Sequence, residues 1–115
     1  MPAKHKHLGV GVLYNKEGKI LLQDRREMSK FGEQWGFFGG KIEEGETVEE
    51  GTKRELLEEL EFEVKQMKHL MHFKETATRT TGFVQDLTFD VYTILITKED
   101  FKKMVLHEGS GMQWF

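Results

Sequence analysis

Residues 47–60 run TVEEGTKRELLEEL, a stretch that reads as a helix and constrains the rest of the chain more than any other. At about 100° per residue, Glu55, Glu58 and Glu59 stand at i, i+3 and i+4, so three carboxylates share one face. Leu56, Leu57 and Leu60 point the other way and need a partner to bury them. Like charges at that spacing repel by roughly a few tenths of a kcal/mol per pair in an isolated helix, and by more where water is partly excluded. A bound cation removes that cost. Carboxylate oxygens are hard ligands, and Mg²⁺ takes a few of them together with water and phosphate oxygens, so the face suits Mg²⁺ or Mn²⁺. The competing reading is an ordinary solvated helix face.

The flanking residues separate these readings. Gly40, Glu46, the pair Arg54-Glu55, Leu56, the pair Glu58-Glu59 and Phe62 resemble the signature of the Nudix hydrolase family. That signature ends in a glycine and an aliphatic or similar residue, and here the glycine position holds Glu61. A glycine just past a helix end supplies the left-handed conformation that closes the helix. Glutamate in that conformation costs about 1 kcal/mol, unless the helix ends differently and the chain turns straight into a strand near Phe62.

With 115 residues and 37% hydrophobic content, the chain is expected to form one domain, 1–115, with a modest core. Seventeen basic against twenty acidic residues give a net charge of −3, with no basic run long enough to hold a nucleic-acid backbone. The chain has no cysteine, which excludes disulfides, thiolate metal sites and a cysteine nucleophile. Its apolar runs are too short to span a bilayer, and MPAKHKHLGVGV lacks the sustained apolar segment of a secretory signal. The expectation is a cytoplasmic protein without a membrane partner.

Residues 7–14 and 19–24 read as a hairpin across the turn at Asn15 to Gly18, residues 25–34 as a loop, and residues 35–38 as a short strand. Gly39-Gly40 reads as a break before the glutamate-rich loop and the helix. Residues 62–76 and 85–97 are rich in strand formers, and residues 98–104 read as a loop or short helix. Strands, one long helix, then strands suggest a mixed sheet packed on that helix. The Nudix resemblance implies an α/β/α sandwich. It also implies a further helix beyond a tryptophan such as Trp114, whereas this sequence stops at Phe115. That leaves either a longer chain or a partner, a homodimer among the options, to cover an apolar surface.

The resemblance implies metal-dependent cleavage of a nucleoside diphosphate-linked compound, whose anionic phosphorus water attacks readily only after cations neutralise its oxygens. It implies that Glu58 and Glu59 hold the metal, that Glu55 ligates it or helps deprotonate water, that the Gly39 carbonyl completes the coordination, and that Arg54 orients the glutamates. Arg54 in a simple surface pair with Glu50 or Glu58 is the competing reading. Glu46 reads as a residue that holds the loop or caps the helix, and Glu43 and Glu44 as solvated. Glu108, in HEGSGMQWF, is a candidate for an extra ligand or base, against an exposed loop acid.

Trp35, Phe37 and Phe38 offer an aromatic surface for a base, although strand alternation sends at least one of them to the core. Arg25 and Arg26 are weaker candidates for phosphate or ribose. His5, His7, His69 and His72 read as structural: His69 and His72 stand at odd spacing on a strand, on opposite faces, and no zinc site is expected. Nor is there a serine-nucleophile motif, a P-loop or a dinucleotide fingerprint.

Members of the family that hydrolyse ADP-ribose or dinucleoside polyphosphates often carry a proline or a tyrosine downstream of the signature. Here the sole proline is Pro2, and no tyrosine occurs between Phe62 and Asp90. The reading is therefore a hydrolase converting a nucleoside triphosphate, including oxidised ones, to the monophosphate and pyrophosphate. Hydrolysis of ADP-ribose or another nucleotide sugar is the alternative, and a non-catalytic nucleotide-binding or regulatory module is the alternative of another class. A binding module has no need of three mutually repelling carboxylates.

Overall fold

The computed structural model describes residues 4–27 and 33–115, so part of the loop expected over 25–34 lies outside the described residues. Its elements are β1 (Lys4–Tyr14), β2 (Leu21–Asp24), β3 (Trp35–Gly36), β4 (Phe38–Lys41), α1 (Val48–Leu60), β5 (Lys68–Thr78), β6 (Val84–Leu95), α2 (Lys98–Lys103) and β7 (Met112–Trp114). They form a mixed sheet in the order β4-β1-β6-β5 and a smaller antiparallel sheet in the order β3-β2-β7. β1 runs parallel to β6 and antiparallel to β4, and β6 closes a long hairpin with β5. The α/β architecture with a mixed sheet and few helices is as expected.

Helix α1 begins where its sequence says it should. Thr47 accepts from the Glu50 amide while the Glu50 carboxylate accepts from the Thr47 amide, a reciprocal pair that satisfies two of the otherwise unpartnered donors at the helix start. The helix lies on β1 and β4 because glycines let it approach. A Cβ at Gly9 would collide with Thr52, and one at Gly11 would press on Leu56. Leu56 and Leu60 enter the core with Leu13, Leu21, Phe38, Val64, Ile94 and Ile96, each buried side chain contributing about 1.5–3 kcal/mol. Leu57 does not join them and is 52% exposed, because the buried arc turns instead toward Glu59 and Thr52.

Several local readings are corrected. Residues 7–14 and 19–24 do not form one hairpin: a single bridge, Tyr14 to Ile20, follows the turn, after which β1 and β2 diverge into different sheets. Residues 35–38 are likewise split, β3 pairing with β2 and β4 with β1. Gly39 and Gly40 are not a break but the centre of β4, opposite Val10 and Gly9. Residues 61–67 carry no regular structure, so the strand expected from Phe62 begins only at Lys68. The short-helix reading of residues 98–104 holds as α2, capped by Thr97 and Asp100.

Candidate active site

Arg54 organises the acidic face of α1. Its Nε and Nη2 donate to the two oxygens of Glu46 at 2.7 and 3.1 Å, Nη1 donates to Glu55 at 3.1 Å and to Glu58 at 3.2 Å, and Nη2 also reaches the Lys41 carbonyl at 3.0 Å. The guanidinium thus ties the helix to the end of β4 and to the loop before α1. Three carboxylates beside it hold its pKa above the ordinary arginine value, the Glu46 hydrogen bond first among them. Glu46 in turn accepts from the Glu43 amide at 2.8 Å, so it fastens the loop, while the helix cap itself is Thr47. The simple surface pair expected as Arg54's alternative is only one strand of this network.

Glu59 and Glu58 occupy different environments. Glu58 is exposed and meets Arg54. Glu59 is 3% exposed and accepts from the Gly39 amide at 2.9 Å. Burial pushes its pKa well above the carboxylate range, and the adjacent Glu108 carboxylate pushes it further. Glu55 is raised as well, mainly by burial, against the pull of Arg54. It lies directly over Gly40, where a Cβ would strike its carboxylate. Gly39 has a positive φ of 137°, and a Cβ there would strike the Gly9 carbonyl, so the strand passes close only because no side chain is present.

Glu108 is brought to this face by the end of α1. The free carbonyls of the last helical turn are taken up by the chain that follows α2: Val105 donates to Leu60 and His107 to Glu59. The same segment is pinned to β2, Ser110 donating to Asp24 and Asp24 to Gly111. Glu108 therefore lies beside Glu59, whose pKa it helps to raise, and receives Arg25 Nη1 at 3.0 Å. The two candidates that sequence placed furthest apart, Arg25 and Glu108, are an ion pair.

The aromatic candidates separate. Phe38 is buried in the core, Trp35 is half-buried and meets Phe115 edge-on at 5.0 Å, and Phe37 is 49% exposed. Arg26 is not free, since Asp24 holds it in a bidentate contact at 2.7–3.1 Å. Sequence reasoning missed the Lys41 carbonyl as an anchor for Arg54, and a backbone acceptor carries no signal in residue type.

The donor set fits a hard cation: Glu55, Glu58, Glu59 and Glu108 present oxygens only, and Glu59, raised first by burial, is raised further by the neighbouring Glu108 and Glu55 carboxylates. As the side chains stand, no group of three among the described residues is spaced to hold an ion, because Arg54 fills the space between Glu46, Glu55 and Glu58. No helix among the described residues is long and apolar enough to cross a membrane.

Known proteins resemble this chain in sequence and in fold. The NUDIX domain matches residues 5–115. An 8-oxo-dGTP diphosphatase of Proteus vulgaris is 38% identical over 66 residues, which are 57% of this chain and 59% of that protein. An oxidized purine nucleoside triphosphate hydrolase of Mus musculus is 51% identical over 48 residues, 42% of this chain and 30% of that protein. Each of these two matches thus spans less than two thirds of the relative's length. Among solved structures, one from work on MutT of Aliivibrio salmonicida and Vibrio cholerae superposes with a TM-score of 0.73 at 26% identity, covering 97% of this chain and 80% of that one. The MutT protein of Methanosarcina mazei Go1 superposes with a TM-score of 0.77 at 20% identity over 99% and 78%, a likeness of fold. With the domain match running through nearly all of the sequence and the glutamate-arginine network assembled on α1, the chain belongs to the Nudix family.

Proposed function

We propose that this chain, as one domain, hydrolyses a nucleoside triphosphate, most readily an oxidised purine nucleoside triphosphate, to the monophosphate and pyrophosphate. The observation that carries this reading is the Arg54 network, which gathers Glu46, Glu55 and Glu58 beside buried Glu59. The names of the curated relatives direct it to oxidised purine substrates. Hydrolysis of a nucleotide sugar such as ADP-ribose is the enzymatic alternative.

In this reading Glu55, Glu58 and Glu59, with the Gly39 carbonyl, hold Mg²⁺ or Mn²⁺. When bound, the cation neutralises the pyrophosphate oxygens against which water must attack. Arg54 positions Glu55 and Glu58 so that little reorganisation is needed as substrate arrives. Glu55 or Glu108 takes the proton from the attacking water, Glu55 being suited by a pKa that burial has raised. Arg25, held by Glu108, faces the phosphates, and exposed Phe37 with Trp35 offers a surface for the base.

Glu58→Gln tests the assignment. Glu58 is exposed and its carboxylate accepts from Arg54, so the variant should fold with a melting temperature near that of the parent. Its turnover should fall by orders of magnitude. Unchanged turnover would remove Glu58 from the site, and tight nucleotide binding without turnover in the parent would favour a non-catalytic module.

A further inference from the structure

One buried carboxamide stands between the two segments that bring their groups to Glu59. Gln23 lies fully buried on β2, its backbone paired with Gly36 of β3 on one side and with Met112 of β7 on the other. Its side chain shares a strand face with Leu21 and so turns to the core. A buried amide loses its water and has to find partners in the protein. Gln23 finds one at one end only: Nε2 donates to the Phe37 carbonyl at 2.9 Å, whereas Oε1 has no hydrogen-bond partner. Leucine or methionine would fill much the same space and leave no polar atom unpaired on this side chain, so packing gives no reason for a glutamine here.

Both ends of the amide lie against segments of the candidate site. Phe37 is the residue by which the chain passes from β3 to β4, and two residues further on Gly39 gives its amide to Glu59. At the other end Oε1 faces Gly109, where a Cβ would come within 3.1 Å of it and within 2.7 Å of the Asp24 carbonyl. Gly109 has a φ of 77°, so the absence of a side chain lets the loop both turn there and rest on the amide. The residue before it is Glu108, which lies beside Glu59. The β2 backbone already holds this loop through Asp24, Ser110 and Gly111. β4 belongs to the other sheet, and the Gln23 amide ties its entry to β2.

We propose that Gln23 is a positioning residue, a buried arm whose planar amide sets the spacing between the Gly39 strand and the Glu108 loop on either side of Glu59. It touches neither substrate nor reacting atoms. The length of the side chain matters as much as its chemistry, because the amide has to meet Phe37 and Gly109 at once. Asparagine carries the same amide on an arm one methylene shorter and cannot span both.

The kinetic consequence rests on the hydrolysis proposed above, whereas the structural one does not. The test compares the parent with Gln23→Asn and Gln23→Met, the second keeping volume and burial while losing the amide. Amide hydrogen exchange is measured without substrate, and hydrolysis of the oxidised purine triphosphate well below each melting temperature. In both variants exchange should quicken at Gly39 and Ser110 together, by about tenfold beyond any change at Ile96, whose amide binds Tyr14 at the end of β1. Turnover should fall roughly 10–100-fold while KM stays within about threefold, because the substrate contacts are intact and only the placement of Gly39 against Glu108 changes. A residue that merely fills the core would raise exchange alike at all three amides and leave the turnover of the folded protein unchanged. Uniform exchange, or unchanged turnover, in either variant would overturn the proposal. A parent that hydrolyses none of the substrate would remove the functional reading, and the exchange pattern alone would then decide whether Gln23 couples the two segments.

Discussion

Two single positions show how backbone conformation supports the candidate site. Gly39 combines a φ of 137° with the Gly9 carbonyl lying where a Cβ would be, and its amide binds buried Glu59. Gly39→Ala should therefore cost at least about 2 kcal/mol in urea denaturation, and a loss below half of that would show that β4 can move aside. Glu61 is the opposite case, the one non-glycine residue with positive φ among the described residues, at 52°. The family signature places glycine there, and relief of the left-handed conformation should make Glu61→Gly more stable by about 0.5–1 kcal/mol. Its pair with His107 is exposed at both ends and adds little to the balance. A net loss of stability would instead show that this pair anchors the segment carrying Glu108.

Elements held by local rules were legible, and those held by distant partners were not. Thr47 and Glu50 announce the start of α1, and Thr47→Ala should cost about 1 kcal/mol in the same denaturation, with an unchanged midpoint contradicting the capping contact. Thr97 and Asp100 announce α2 in the same way. The β1-turn-β2 segment looked like a hairpin because its turn chemistry is local, whereas β1 takes its long pairing from β6, which lies some eighty residues further along the chain. Residues 35–38 looked like one strand because no residue type marks the point at which a chain passes from one sheet to another. The bulge that β5 carries between His69 and Met71 follows from pairing with β6, so alternation alone sent His69 and His72 to opposite faces.

In the molecule as a whole, spacing on one helix made the acidic face legible, while its division into exposed Glu58 and buried Glu59 required the packing of β4 beneath it. Glu108 was recoverable only as a loop acid, since it reaches the site through carbonyls at the end of α1 and through β2. The central proposal is metal-dependent pyrophosphohydrolysis at this assembled face. Its most direct test is to incubate the purified chain with ordinary and oxidised purine nucleoside triphosphates and with nucleotide sugars, in Mg²⁺, Mn²⁺ or chelator, and to identify the products by chromatography. Monophosphate and pyrophosphate should form from the oxidised purine triphosphate in Mg²⁺ or Mn²⁺ and vanish with chelator. Absence of cleavage across the panel, or cleavage that survives the chelator, would contradict it.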